Sequence, residues 1–213
     1  MVNHEKGVIF IHIPKTAGTS IELASNLEFN IKGGDATCYG YNERIQNWMQ
    51  HLTVPELIEN EFVKKNEFET YYSFTFVRNP WDRLISEVFY RFDDIIYNKE
   101  DVMNLIKQFF SETDLWIRKD FRCHKLPQVN FVFDINGKQL VNFIGRYENL
   151  QEDFNKICED IGIENQILDH CHPLGGFSSS ARRKHYRDYY DLETRKLVSS
   201  YYSQDIETFG YMF

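Results

Sequence analysis

Residues 8–20 of the chain read V-I-F-I-H-I-P-K-T-A-G-T-S, and the order of residue types in this stretch decides the fold class. Residues 8–13 form a short apolar run rich in β-branched side chains, which is typical of a buried strand in a parallel sheet. Pro14 ends the run, small residues follow, and residues 21–27 have helical spacing. The stretch therefore predicts a strand, a loop of small residues and a helix, in that order.

The same alternation continues along the chain. Apolar runs predict further strands over residues 71–77, 129–133 and 143–147. Amphipathic spacing predicts helices over residues 55–65, 81–92, 101–110, 150–161 and 191–202. Thr53 is a candidate N-cap for the first of these helices, and Pro80 opens the second. Residues 134–138 resemble a turn and residues 172–180 a loop. Because no internal repeat or long linker interrupts this pattern, it predicts one α/β domain over residues 1–213 with a mainly parallel central sheet.

Composition and charge exclude two classes of protein. With 42% hydrophobic and 16% aromatic residues, the chain can bury a large core, which excludes intrinsic disorder. Its formal net charge of −8 argues against a general nucleic-acid binder, whose affinity comes from Lys and Arg contacts to phosphates. An acidic surface is still compatible with one basic pocket for a small anion.

The cysteines and the terminal residues bear on the compartment. The four cysteines form no C-x-x-C pair, so we expect reduced thiols and no structural zinc site. The first residues are polar, and residues 8–13 are too short for the apolar core of a signal peptide. No window approaches the ~20 apolar residues of a membrane span. We therefore expect a soluble, cytoplasmic protein.

Residues 12–20 have the composition of a loop that binds phosphate or sulfate. A loop between a strand and a helix presents backbone N–H groups at the positive end of the helix dipole. Ala17 and Gly18 allow close approach of the backbone, Thr19 and Ser20 add hydroxyl groups, and Lys15 adds a full charge. The loop is not the G-x-x-x-x-G-K-[ST] loop of nucleotide triphosphatases, because its lysine precedes its glycine.

A second segment, residues 74–86, reads F-T-F-V-R-N-P-W-D-R-L-I-S. It ends a predicted strand with Arg78, and Pro80 then starts a helix in which Ser86 lies about two turns along. An arginine at the carboxyl end of a parallel strand faces the crevice where open α/β sheets bind ligands. Taken alone, Arg78 is better explained as a structural ion-pair partner, and Ser86 as an ordinary helix residue.

Together the two segments resemble the sulfotransferase superfamily that uses 3′-phosphoadenosine-5′-phosphosulfate (PAPS), and most of all a bacterial or viral member of its carbohydrate sulfotransferase branch. The resemblance implies a three-layer fold like that of the P-loop nucleotide kinases. It implies that Arg78 and Ser86 bind the 3′-phosphate of the donor. The residues that would grip its 5′-phosphosulfate are Lys15, Thr16, Ala17, Gly18, Thr19 and Ser20.

Two further segments support the resemblance. Residues 145–154 are similar to the strand-to-helix segment that carries a tyrosine near the adenine, a role that falls here on Tyr147. Arg182 and Arg183 belong to the densest basic cluster of the chain, and they stand where relatives close over the nucleotide. The acidic balance of the chain departs from family members that act on polyanions.

Sulfuryl transfer requires a cation at the leaving phosphate and a base for the acceptor hydroxyl. Lys15 is the candidate cation, and no metal is expected. His51 is the first candidate for the base, because relatives have a histidine in a broadly corresponding region. His124 is the second candidate and Glu22 the third, whereas His12 lies in the first predicted strand and is expected to be structural. His4 is expected in a frayed terminus.

The sequence therefore indicates a sulfotransferase that moves a sulfuryl group from PAPS to a hydroxyl, with a carbohydrate as the expected acceptor. Two alternatives stay open at this point. One is a Mg²⁺-dependent nucleotide kinase or hydrolase on the same scaffold, and the other is a non-catalytic nucleotide-binding protein.

Overall fold

The computed structural model describes residues 1–96, 98–111, 122–168 and 184–213. The strands, in chain order, are β1 (Val2–Asn3), β2 (Val8–Ile11), β3 (Tyr41–Asn42), β4 (Asn47–Trp48), β5 (Tyr72–Val77) and β6 (Phe143–Arg146). The helices are α1 (Gly18–Glu22), α2 (Val54–Glu59), α3 (Lys65–Thr70), α4 (Pro80–Phe92), α5 (Lys99–Phe110), α6 (Arg122–Lys125), α7 (Val129–Val132), α8 (Leu150–Ile161), α9 (Leu192–Tyr201) and α10 (Ser203–Phe209).

The chain forms two compact units. The first, here called the sheet unit, consists of Met1–Val77 and Gln128–Cys171. The second, here called the helical unit, consists of Arg78–Pro127 and His172–Phe213. The assignment of a single domain over residues 1–213 stays a prediction.

The sheet unit is built on a four-stranded sheet in the order β1-β2-β5-β6. β2 pairs with β5 and β5 with β6 in parallel, and only β1 is antiparallel. The prediction of a mainly parallel sheet with helices is thus confirmed. Phe10 and Phe74 stack across β2 and β5 with ring centroids 5.1 Å apart, and Phe154 of α8 belongs to the same buried cluster. This core fixes the register of the strands that lead into the candidate site.

Four local predictions for the sheet unit are wrong. The helix predicted over residues 21–27 is α1, which begins at Gly18 and ends at Glu22, so residues 23–27 are not helical. Residues 129–132 are helical rather than a strand, because the run follows Pro127 and its amides bond back along the chain, Phe131 to Gln128 and Phe133 to Val129. A short apolar run has no periodicity that separates the two states. The terminus is not frayed at His4, whose ring contacts the Tyr71 hydroxyl and the carbonyl of Ala36.

The fourth difference concerns the predicted helix over residues 55–65, which is two helices. Thr53 caps α2 as predicted, and its hydroxyl accepts a hydrogen bond from the amide of Glu56. Glu61 has a φ of 59°, so the chain turns there before α3 begins. The turn at residues 134–138 is confirmed, because Asp134 accepts hydrogen bonds from the amides of Asn136 and Lys138.

The described elements of the helical unit are helices whose ends follow local signals. α4 begins at Pro80 as predicted, and the Asn79 side chain accepts a hydrogen bond from the amide of Trp81. Asn98 caps α5 and Asp191 caps α9 in the same manner. Among the described residues, no helix has the length and hydrophobicity that crossing a membrane requires. The loop predicted over residues 172–180 lies outside the described residues.

Candidate active site

The loop between β2 and α1 has a backbone that ordinary residues rarely adopt. Lys15 and Ala17 have φ angles of 69° and 72°, in the left-handed region, although neither is a glycine. Each such residue costs of order 1–3 kcal/mol, and residues of this kind cluster at ligand sites. Left-handed residues beside right-handed ones turn successive amides to one side, which forms a concavity for anions.

Several backbone N–H groups of this loop have no hydrogen-bond acceptor among the described residues. Ser20 donates its amide hydrogen to the carbonyl of Ala17 at 3.0 Å, which starts α1. Within the described ranges, no group accepts a hydrogen bond from the amides of Ala17, Gly18 or Thr19. Three neighbouring N–H groups without an acceptor fit the oxygens of a phosphate or sulfate.

The side chains of the loop divide into two groups. Thr16 is fully buried, and its hydroxyl donates to the carbonyl of Ile13 at 2.8 Å, so this side chain stabilises the loop from inside. Ser20 is also buried, whereas Lys15 and Thr19 are half-buried. The lysine and the second threonine therefore have the solvent access that a ligand-binding side chain needs.

Gly18 is required by a close contact rather than by its backbone angle. A Cβ atom at this position would lie 1.8 Å from Nε2 and 2.0 Å from Cδ2 of His12. Its φ does not lie in the left-handed region, so alanine is conformationally acceptable there but has no space. The first residue of α1 is thus packed directly on the imidazole ring of His12, the residue that follows β2.

Two neighbouring side chains hold the ring of His12 in place. Its Nδ1 lies 2.6 Å from Oε1 of Glu22, and both side chains are less than a tenth exposed. The ring also stacks on Phe10, with centroids 5.5 Å apart. His12 is therefore the buried structural histidine that the sequence predicted. The Glu22 carboxylate, which is the third candidate for the base, is engaged by this contact with His12.

His51 is connected to the same residue. Its Nδ1 lies 3.0 Å from the carbonyl oxygen of His12, and its ring meets the His12 ring edge to face at a centroid distance of 4.5 Å. Because a carbonyl can only accept, Nδ1 of His51 carries the hydrogen in this contact. Nε2 of the neutral ring then has the lone pair, which is the state of a general base. The side chain is half-buried at the end of a short 3-10 turn, Met49–His51.

His124, the second candidate, belongs to the helical unit. Its Nδ1 lies 2.8 Å from Oε2 of Glu87, a buried carboxylate that also holds Arg91 through its other oxygen. Burial, with a smaller effect of Glu87, raises the pKa of the neighbouring Cys123 thiol to about 12. The pairing of His124 with Glu87 has no local signal in the sequence, because the two residues are 37 positions apart.

Arg78 and Ser86 also belong to the helical unit. Arg78 is buried, and its Nε and Nη2 lie 2.8 Å and 2.7 Å from Oδ2 of Asp82. The spacing of four residues between Arg78 and Asp82 is the local sequence signal for this ion pair. Ser86 is half-buried on α4. Arg83, the other arginine of the motif, donates to the carbonyls of Leu126 and His124 and so supports the segment around α6.

The remaining predicted site residues have less structural support. Tyr147 is half-buried in the 3-10 turn that follows β6. Arg182 and Arg183 lie outside the described residues. In the described part of the chain, no group of three His, Cys, Asp or Glu side chains is arranged to hold a metal ion.

Comparison with known proteins adds independent evidence. An uncharacterized protein of Archaeoglobus fulgidus is 31% identical over 107 residues, which are 49% of this chain and 79% of that relative. No solved structure matches the chain. A model of the sulfotransferase family matches residues 1–212, nearly the whole chain and both motifs. The chain belongs to the sulfotransferase family and is a sulfotransferase enzyme.

Proposed function

We propose that the enzyme transfers a sulfuryl group from PAPS to the hydroxyl of a carbohydrate acceptor. One observation carries the proposal: Gly18 of the loop packs on the ring of His12, and Nδ1 of His51 lies 3.0 Å from the carbonyl oxygen of the same residue. An anion-binding loop and a base joined through one buried residue suit a transfer from an anionic donor to a hydroxyl.

The donor roles follow from this arrangement and from the family motifs. The amides of the loop and the charge of Lys15 would hold the 5′-phosphosulfate and stabilise the charge of the leaving phosphate. Arg78 would bind the 3′-phosphate with Ser86, and Asp82 would hold its guanidinium in position. Tyr147 at the adenine, and Arg182 with Arg183 over the nucleotide, are proposed on the resemblance alone.

The transfer itself would be an in-line displacement. The acceptor oxygen forms a bond to sulfur as the bond between sulfur and the phosphate oxygen breaks. The acceptor proton moves to Nε2 of His51, and the electron pair of the broken bond leaves with the phosphate. His51 is well suited to this step because its other ring nitrogen is engaged by the His12 carbonyl at 3.0 Å.

Calorimetry with the product nucleotide, 3′-phosphoadenosine-5′-phosphate (PAP), tests the donor assignment. We expect binding that EDTA leaves unchanged, because the amides and Lys15 neutralise the charge. A strict requirement for Mg²⁺ would favour the nucleotide kinase instead.

Arg78→Ala should weaken the binding of PAP by about 10- to 150-fold, since a charge-assisted hydrogen bond contributes ~1.5–3 kcal/mol. The same variant should weaken the binding of the analogue without the 3′-phosphate much less.

A transfer assay with labelled PAPS, run across a panel of glycans and small alcohols, tests catalysis. We expect His51→Ala to lower turnover by about 10²–10⁴ while PAP affinity is retained. His4→Ala is the matched control, because that exposed histidine of the same unit should be dispensable. If His51→Ala keeps normal turnover, His51 is not the base and His124→Ala is the next variant. A chain that binds PAP without transferring sulfate to any acceptor would be a nucleotide-binding protein.

A further inference from the structure

Two aromatic side chains are displayed on the surface of the sheet unit by the small β3–β4 hairpin. Tyr41 and Trp48 are directly opposite each other in its register, and they are 42% and 37% exposed. Their ring centroids are 5.5 Å apart and their planes meet at 71°, so the rings form an open corner. A large exposed aromatic pair indicates a candidate binding surface, because its rings lack the stabilisation that burial in the core would provide.

The corner is held firmly although it is exposed. The amide of Met49 donates to the carbonyl of Gly40 at 2.8 Å, and the amide of Gly40 donates to Oε1 of Gln50 at 3.0 Å. Met49 is buried, and Asn42 is buried with its amide group 2.9 Å from Asp35. Rigid presentation of aromatic rings is the arrangement of a binding surface, since little side-chain entropy is lost on contact.

The corner adjoins the candidate base. Trp48 immediately precedes the 3-10 turn Met49–His51, so it lies three residues before His51. Trp48 itself has an extended backbone. Because three residues of chain span at most ~11 Å, the backbone of Trp48 lies within that distance of His51.

The chemistry of the corner selects the kind of ligand. The two rings offer apolar faces with an N–H and an O–H at their rims, which fits a ligand that has an apolar C–H face and a hydroxyl edge. Arg44, the cation of the hairpin, donates to the carbonyl of Asn60 and lies 5.1 Å from the Phe62 ring centre. The hairpin therefore has no excess positive charge that would favour an anionic ligand.

We propose that Tyr41 and Trp48 form the platform on which a neutral saccharide acceptor stacks, with a hydroxyl directed to His51. The proposal rests on the proposed function for the role of His51. A protein partner suits the corner less well, because two partly exposed rings contribute on the order of 100–200 Å², whereas a stable interface needs ~800 Å² from each partner.

The experiment is saturation-transfer NMR on the full chain with bound PAP, using methyl β-D-glucopyranoside, methyl β-D-galactopyranoside and N,N′-diacetylchitobiose as probes. We expect transfer to the ring C–H protons of at least one probe. Trp48→Ala should weaken its affinity about 5- to 150-fold, by analogy with rings stacked on aromatic side chains, while Trp48→Phe retains most of it. Ile135→Ala is the control, because that fully exposed apolar side chain lies in the same unit but outside the hairpin.

The outcomes separate this proposal from the proposed function. If no probe is saturated while PAP binds, or if Trp48→Ala binds the probe normally, the platform is refuted and sulfuryl transfer still stands. If a probe requires Trp48 but PAP does not bind, the platform is supported and the donor assignment fails. A dimer of the native chain that Trp48→Ala converts to monomer would show that the corner is an interface between copies, which also refutes the platform.

Discussion

Replacing Gly18 by alanine tests whether the loop is packed on His12 as the structure has it. The added Cβ would lie 1.8 Å from Nε2, 2.0 Å from Cδ2 and 2.4 Å from Cε1, whereas non-bonded atoms prefer about 3.5–4.0 Å. The ring would have to retreat, but Glu22 holds it at 2.6 Å and Phe10 stacks on it. Overpacking costs about 1–3 kcal/mol and an unsatisfied buried donor about 1–3 kcal/mol more. We therefore expect unfolding to require about 2–6 kcal/mol less free energy.

Chemical and thermal denaturation of four proteins measure this effect: native, Gly18→Ala, His12→Ala and the double variant. In the native background the Tm should fall by at least about 4 °C, since 1 kcal/mol shifts it by ~2–4 °C in a chain of this size. In the His12→Ala background the same alanine should cost less than about 0.5 kcal/mol, because the clashing ring is gone and Gly18 does not need a left-handed φ. Equal costs in the two backgrounds, or a negligible cost in the native one, would refute the packing argument.

Three further predictions follow from single contacts. Asp191→Ala should lower the free energy of unfolding by about 1 kcal/mol at neutral pH in urea titrations, because the carboxylate caps α9 by accepting from the amide of Thr194 at 2.7 Å. That hydrogen bond lowers the pKa of Asp191 in the folded chain. The stabilisation is therefore lost on protonation, and the free energies of unfolding of native chain and variant should converge as the pH falls below about 4. A difference in free energy that does not change with pH would contradict the assignment. Burial raises the pKa of the Cys123 thiol to about 12, so this cysteine should resist iodoacetamide at about pH 8 until the chain is unfolded. Mass spectrometry follows the modification, and rapid labelling of Cys123 in the folded chain would contradict its burial. Glu22→Ala should destabilise the chain by about 1–3 kcal/mol in thermal melts, because Nδ1–H of buried His12 loses its acceptor, whereas Glu22→Gln should recover most of that loss if the contact is a hydrogen bond.

The elements that sequence alone determined are those with local signals. The helix at 150–161 and the start of α4 at Pro80 are as predicted, because amphipathic spacing, capping groups and proline act within one or two turns. The strand at residues 8–11 and the loop after it likewise follow from an apolar run, a proline and small residues, and this order indicated an anion-binding loop. The helix after the loop begins at Gly18 and ends at Glu22, instead of extending over residues 21–27 as its spacing predicted. The same motif, with the arginine and serine of residues 78–86, was enough to identify the family.

Only the tertiary structure decided which groups meet. His12 is 39 residues from His51, so the contact between the His12 carbonyl and Nδ1 of His51 has no signature in the sequence. The reason for Gly18 is similarly non-local, because its usual sequence meaning is backbone freedom, whereas here it makes room for an imidazole. Residues 129–132 became helical because hydrogen bonding and packing settle a short run whose period is undefined. Local spacing specifies backbone conformation, but pairings between distant side chains depend on the folded chain.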